Sequence, residues 1–120
     1  MAKILLVEDE VNIASFIERG LQEFGHTVSV AYNGADGWQL AQDEPFDLLV
    51  LDIIMPKMNG LHFLEQLIPQ YAVPVIVCSC KREYASAAFE AGAVDFIIKP
   101  DESGSYESFK AQLLQSFKLV

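Results

Sequence analysis

Six polar residues stand where apolar runs stop, and their types are those of charge-driven chemistry. Glu8, Asp9 and Glu10 follow KILLV, Asp52 interrupts LLVLDIIM, Ser79 ends VPVIVCS, and Lys99 ends VDFIIK. An ionised Asp inside so apolar a run is costly unless it is paired, coordinated or opened to water at a strand end. Two carboxylates about 4 Å apart repel by around 4 kcal/mol at an effective dielectric near 20. Three in one place would cost a large share of the roughly 5–15 kcal/mol by which a domain is stable. Lys99 offsets part of that repulsion and a divalent cation the rest. Hard oxygen ligands with open positions suit Mg²⁺ better than Zn²⁺. The plainer alternative is that Glu8, Asp9 and Glu10 only cap a helix, where acids favour the dipole. It leaves Asp52 and Lys99 unexplained.

These residues act together only if the fold brings them to one edge. Apolar runs occur at 3–7, 26–30, 46–51, 73–78 and 94–98, each of a length and type suited to a strand buried on both faces. Between them the pattern has helical period. Ile13, Ile17, Leu21 and Phe24 step by three or four, and Gly25 supplies the stop. Asn33 caps a second stretch, with Asp36 three residues on, that carries Ala35, Trp38 and Ala41. Leu61, Leu64, Leu67 and Ile68 mark a third, closed by Pro69, and Tyr84, Ala88 and Ala91 a fourth, closed by Gly92. Tyr106, Phe109, Leu113 and Phe117 mark a fifth. Five strands alternating with five helices predict an α/β fold, a doubly wound parallel sheet. Such sheets place their sites at the carboxyl ends of the strands, near a topological switch point. The six polar residues converge there.

Composition narrows the function. The 120 residues are expected to form one domain, 1–120, with 52% hydrophobic and 21% charged residues, ordinary for a globular protein. No apolar run approaches the roughly 18 residues of a membrane span, and MAKILLVEDE turns acidic too early for a secretory signal. Cys78 and Cys80 read as reduced thiols of a cytoplasmic chain. The net charge of −9 argues against direct nucleic-acid binding, which needs clustered Lys and Arg. His26 and His62 lack partners at metal spacing and read as solvated, and Trp38 reads as packing. Lys81 and Arg82 read as a solvated loop beside the site mouth, where they would steer an anionic donor.

Together KILLVEDE, LLVLDIIMPKMNG, the Ser ending the fourth strand and GAVDFIIKP resemble the receiver domain of bacterial two-component response regulators. The resemblance covers essentially the whole chain, with its motifs in order. It implies a flavodoxin-like strand order, 2-1-3-4-5. It also implies that Asp52 is the phosphoryl acceptor, forming an aspartyl phosphate. Asp9 and Asp52 would ligate Mg²⁺, Glu8 would act partly through water, and the backbone carbonyl of Ile54 would be the remaining protein ligand. Lys99 would pair with the phosphoryl oxygens and Ser79 would hydrogen-bond one of them. Ser79 and Phe96 would form the switch, on the face of the fourth helix, fifth strand and fifth helix. Lys99-Pro100 would be a cis peptide. Partners would be a sensor histidine kinase or phosphotransfer protein, and an effector protein or an output domain of the same chain. The domain would be a signalling module rather than an enzyme.

The chain departs from the family in places. Cys80 sits where relatives usually have Ala. From Ser79 to Lys99 is 20 residues, a couple fewer than expected, so the shortening must fall in the fourth helix or its leading loop. DESGSYESF follows Pro100 where a Phe and a short helix entry are more usual. The first half resembles receivers of winged-helix transcription factors, and GAVDFIIKP those of chemotaxis methylesterases. Two rivals remain. A dehalogenase-type phosphatase needs a second Asp two residues after the nucleophile, where this chain has Ile54. A binding-only receiver would have no use for intact Glu8, Asp9, Asp52 and Lys99. If Asp52 is a nucleophile, replacing it relieves repulsion and leaves Lys99 with Asp9 as partner.

Overall fold

The computed structural model describes residues 2–52, 54–55, 58–59, 65–66, 73–79, 81–99 and 106–116, with side chains at all of these except 54, 55, 58, 59, 106 and 110. Five strands lie where the apolar runs do: β1 Lys3–Val7, β2 Thr27–Ala31, β3 Leu48–Asp52, β4 Val75–Ser79 and β5 Asp95–Ile98. They form one sheet, all neighbours parallel, in the order β2-β1-β3-β4-β5. This is the expected 2-1-3-4-5. A short antiparallel ladder between Ile54–Met55 and Met58–Asn59 follows β3 and was not foreseen. Its available signal was the Pro and Asn-Gly of MPKMNG, residues typical of turns.

The helices are α1 Val11–Glu23, α2 Gly34–Asp43, α3 (described only at Glu65 and Gln66), α4 Ala85–Glu90 and α5 Tyr106–Ser116. Alternate side chains along each strand feed two cores. Leu5, Val7, Leu49, Leu51, Val75 and Val77 pack towards Trp38, Leu40 and Ala41 of α2 and Ala88 of α4. Ile4, Leu6, Leu48, Val50, Ile76 and Cys78 pack with Ala14, Ile17 and Leu21 of α1 and Phe109 and Leu113 of α5. A parallel sheet buried on both faces needs such unbroken apolar strands, and β3 and β4 are buried at every residue.

Local chemistry sets the element ends. Asn33 Oδ1 accepts from Asp36 N–H at 2.8 Å, and Asn33 Nδ2 donates to Asp36 Oδ2 at 3.0 Å, so the predicted N-cap of α2 is present. Gly25 after α1 and Gly92 after α4 take φ of 86° and 111°, the left-handed region that favours glycine. α4 has six residues behind a single 3₁₀ turn at Arg82–Tyr84, both within the Ser79–Lys99 interval.

Three expectations need correction. Phe24 is 59% exposed, because it is the residue after α1 and the helical stripe ends at Leu21. Ala35 is exposed; Gly34 and Gly37 take the buried face of α2, where the helix lies too close to β1 for larger residues. His26 is half-buried, and its Nδ1 accepts from Ala2 N–H at 3.0 Å, so it ties down the start of the chain. The stripe at Leu61, Leu64, Leu67 and Ile68 with Pro69, along with His62, Cys80, Pro100 and Phe117, lies outside the described residues. The expected cis bond at Lys99-Pro100 lies outside them too.

Candidate functional site

The switch point falls between β1 and β3, because the chain moves outward from β1 to β2 on one side and continues from β3 on the other. Val7 pairs with Leu51, so the residues that follow, Glu8 and Asp52, come level at the carboxyl edge. Asp52 in turn pairs with Cys78, and Ser79 with Ile98, which carries the same edge across to Lys99. Register alone therefore delivers Glu8, Asp9, Asp52, Ser79 and Lys99 to one rim.

There the three carboxylates cluster. Glu8, Asp9 and Asp52 each offer an oxygen, and these lie within 4.8 Å of one another. Glu8 is 1% exposed and Asp52 3%, whereas Asp9 is half-buried and open to solvent on one side. Lys99 Nζ lies 2.7 Å from Glu8 Oε1 and 3.2 Å from Asp52 Oδ2. The observed second partner of Lys99 is thus Glu8, where Asp9 was expected. The physical reason is depth: Glu8, directly after the buried strand, is sealed at the sheet edge, and Asp9 turns towards solvent. Glu8 Oε2 also accepts from Glu10 N–H at 3.2 Å.

Burial dominates the electrostatics. It pushes the Glu8 carboxyl up to about 8, with Lys99 pulling the other way and Asp52 adding to the rise. For Lys99, burial disfavours the charge, but Glu8 and Asp52 outweigh it and hold the ammonium above its ordinary value. The site is a strained set of acids sharing one deep cation. Helix capping accounts for Glu10 alone, whose carboxylate accepts from Asn12 N–H at 3.2 and 3.3 Å. Cys78, buried one strand over, has its thiol pushed up by that burial and stays protonated.

Ser79 is fully buried, and its Oγ accepts from Lys81 N–H at 3.1 Å, a local turn the sequence reading missed. Its carbonyl accepts from Lys99 N–H at 2.8 Å. Phe96 is half-buried opposite Val77 and packs against the core under α4. Ile54 begins the short ladder two residues past Asp52. A cavity of about 400 Å³ lined by Leu5, Ala41, Asp43, Glu44, Phe46 and Leu49 among others shares no residue with this rim.

Comparison with known proteins agrees with the geometry. Residues 4–106 match the model of the response regulator receiver domain. The chain is 37% identical over 102 residues to the response regulator ArlR of Staphylococcus saprophyticus, covering 83% of this chain and 46% of that protein. It spans about half the length of the curated relatives it matches. Among solved structures, the chemotaxis response regulator CheY4 of Vibrio cholerae superposes with a TM-score of 0.83 at 26% identity, covering 100% of this chain and 99% of that one. The response regulator TrrA of Thermotoga maritima, solved in complex with Mg(2+)-BeF, superposes with a TM-score of 0.81 at 27% identity, covering 97% and 99%. With five parallel strands in the expected order and a receiver match across most of its length, this chain belongs to the response regulator receiver domain family.

Proposed function

We propose that this domain accepts a phosphoryl group on Asp52 and reports the modified state through a change at Ser79 and Phe96. The single observation that carries the reading is the cluster of Glu8, Asp9 and Asp52 at a topological switch point, with Lys99 held between the two buried acids, Glu8 and Asp52. A structural ion pair would need one acid for one base, and here two acids share one Lys with a third carboxylate beside them.

The residues divide the work. An Asp52 oxygen attacks phosphorus as the bond to the donor's leaving oxygen or nitrogen breaks, and the bonding pair leaves with the donor. Lys99, already 3.2 Å from Asp52 Oδ2, pairs with the incoming phosphoryl oxygens. Ser79 Oγ accepts from Lys81, which leaves its own hydrogen available to donate to a phosphoryl oxygen. The acid cluster fits Mg²⁺, whose ligands are hard oxygens. Asp9 and Asp52 would hold the ion, with Glu8 acting partly through water and the Ile54 carbonyl completing the protein ligands. When bound it neutralises charge on the cluster and the phosphoryl group.

The domain is a phosphorylated signalling module of the cytoplasm and not a turnover enzyme. Its donor is a sensor histidine kinase or a phosphotransfer protein. Its listener is an effector protein or an output domain on the same chain, reached through the face of α4, β5 and α5. The twofold greater length of the ArlR relatives supports an output domain. The receiver itself makes no direct contact with nucleic acid, consistent with the net charge of −9.

Mass spectrometry after incubation with acetyl phosphate and Mg²⁺ tests this reading. One labile phosphoryl adduct is expected on the wild type and none on Asp52→Asn. Absence of the adduct on the wild type would leave a binding-only module.

A further inference from the structure

Where β3 and β4 begin, beside the last turn of α2, lies the cavity of about 400 Å³ that the phosphoryl chemistry does not use. Buried Leu5 and Leu49 line it on the sheet side, and half-buried Ala41, Phe46 and Val73 complete an apolar wall. Protein interiors close-pack and leave few voids larger than a water molecule. Ligand sites run from roughly 300 to 1,000 Å³, so this space has the size of a small-molecule site.

The charged residues lining it have one sign. Asp43 and Glu44 both stand at the carboxyl end of α2, where the helix dipole is negative and the last turn has no basic residue. Asp43 is exposed and Glu44 half-buried, so the acids mark the side open to solvent. Asp43 accepts from Gln39 Nε2 at 2.9 and 3.0 Å, and its two oxygens keep lone pairs for a further donor. The chain's own ammonium shows what this corner attracts. Lys3 Nζ donates to Glu44 Oε1 at 2.8 Å and lies 5.2 Å from the centroid of the Phe46 ring. One lysine faces two acids and a helix end, and the corner stays negative.

We propose that this cavity is a binding site for a small amphipathic cation, a primary amine on an aromatic or branched-alkyl body. The body fills the space against Leu5, Leu49 and Val73, and the ammonium sits by Asp43 and Glu44. A neutral body of the same shape gains only apolar burial. A carboxylate in place of the ammonium meets two acids and the negative end of α2. The site shares β1 and β3 with the phosphoacceptor rim but none of its residues, so it is independent of the role of Asp52.

The test titrates the isotope-labelled domain with phenethylamine and follows the methyl resonances of Leu5, Leu49 and Val73. These should move together and saturate with a dissociation constant of about 1 mM, the strength that ligand efficiency allows so small a probe. Hydrocinnamate, an anion with the same ring, should bind at least about ten-fold more weakly, since Coulomb's law gives about four-fold for each charge at about 5 Å in water. Asp43→Asn should weaken phenethylamine binding by about four-fold on the same arithmetic. Ala41→Phe and Val73→Phe fill the space, and each should abolish the shifts in a domain whose circular dichroism shows it folded. Should either fail to fold, Asp43→Asn at its exposed position still decides the matter. Methyls that do not move at any amine concentration overturn the proposal. So does hydrocinnamate binding as tightly as the amine, an Asp43→Asn domain of undiminished affinity, or binding that survives in a folded Ala41→Phe or Val73→Phe domain.

Discussion

Glu8 is the residue whose behaviour differs most from an ordinary surface acid. Its folded-state carboxyl is raised to about 8, against 4.5 in the unfolded chain, chiefly by burial. Between those values the native state holds a proton that the unfolded chain has released, so metal-free stability falls as pH rises from about 4.5 to about 8. The groups facing Glu8 are Lys99, Asp52 and Asp9, all at the same rim. Urea denaturation in EDTA across that window should show the decline, and Glu8→Gln should flatten it. A slope unchanged by the substitution would assign the effect elsewhere. Asp52→Asn follows the same logic. Lys99 keeps Glu8 at 2.7 Å when the Asp52 charge is gone, and the loss of that charge lets the Glu8 carboxyl ionise more readily, so the buried ammonium is not orphaned. The metal-free variant should be as stable as wild type or more so, while phosphorylation is lost and Mg²⁺ binding weakens. A variant that unfolds markedly more easily would make Asp52 a structural ion-pair partner.

At the scale of elements, the placement of the site depends on how closely α2 approaches β1. Gly37 lies over Val7, and a Cβ there would meet Val7 Cγ2 at 2.8 Å. Val7 is fully buried and β-branched, so its methyl has little room to yield. Gly37→Ala gains up to about 1 kcal/mol of helix propensity, yet overpacking of this kind costs about 1–3 kcal/mol. The expected net effect is a destabilisation of about 1 kcal/mol, read by chemical denaturation. Since Val7 directly precedes Glu8 and Asp9, the variant should also weaken Mg²⁺ binding, although residue 37 is no ligand. A stabilised variant with unchanged Mg²⁺ affinity would show that α2 can slide along the sheet without disturbing the rim.

At the scale of the whole molecule, charge repulsion at one rim is tolerated because two apolar cores, one on each face of the sheet, hold the strands that carry it. An ion that binds only the native state stabilises by mass action, by about 2.7 kcal/mol when its concentration is 100 times the dissociation constant. Millimolar Mg²⁺ should therefore raise the thermal midpoint of the wild type. The rise should be largest above pH 8, where Glu8 is ionised and the cluster most repulsive. Asp9→Asn should lose most of it. A midpoint indifferent to Mg²⁺ at every pH would remove the acid cluster as a metal site.

The sequence by itself determined the five strands, the two-faced sheet and the set of residues at its carboxyl edge. Unbroken apolar runs leave a buried parallel strand few alternatives, and a charged residue ending such a run must sit at the rim. The caps at Asn33, Gly25 and Gly92 were legible for the same local reason. The resemblance to receiver domains supplied the roles of Asp52, Lys99 and Ser79, which run spacing does not. Tertiary structure decided what depends on depth and close approach. Glu8 and Asp9 are adjacent in sequence, yet one is sealed against Lys99 and the other faces water, because Glu8 N–H is still fastened to Ala31 O at the sheet edge and the chain turns away after it. Gly37 rather than Ala35 faces β1, since only the spacing between helix and sheet reveals which side must lack a Cβ. His26 met Ala2 across 24 residues, and Ser79 Oγ took the Lys81 N–H. Hydrogen bonds of this kind need a donor and acceptor brought to about 3 Å, a condition that periodicity does not encode.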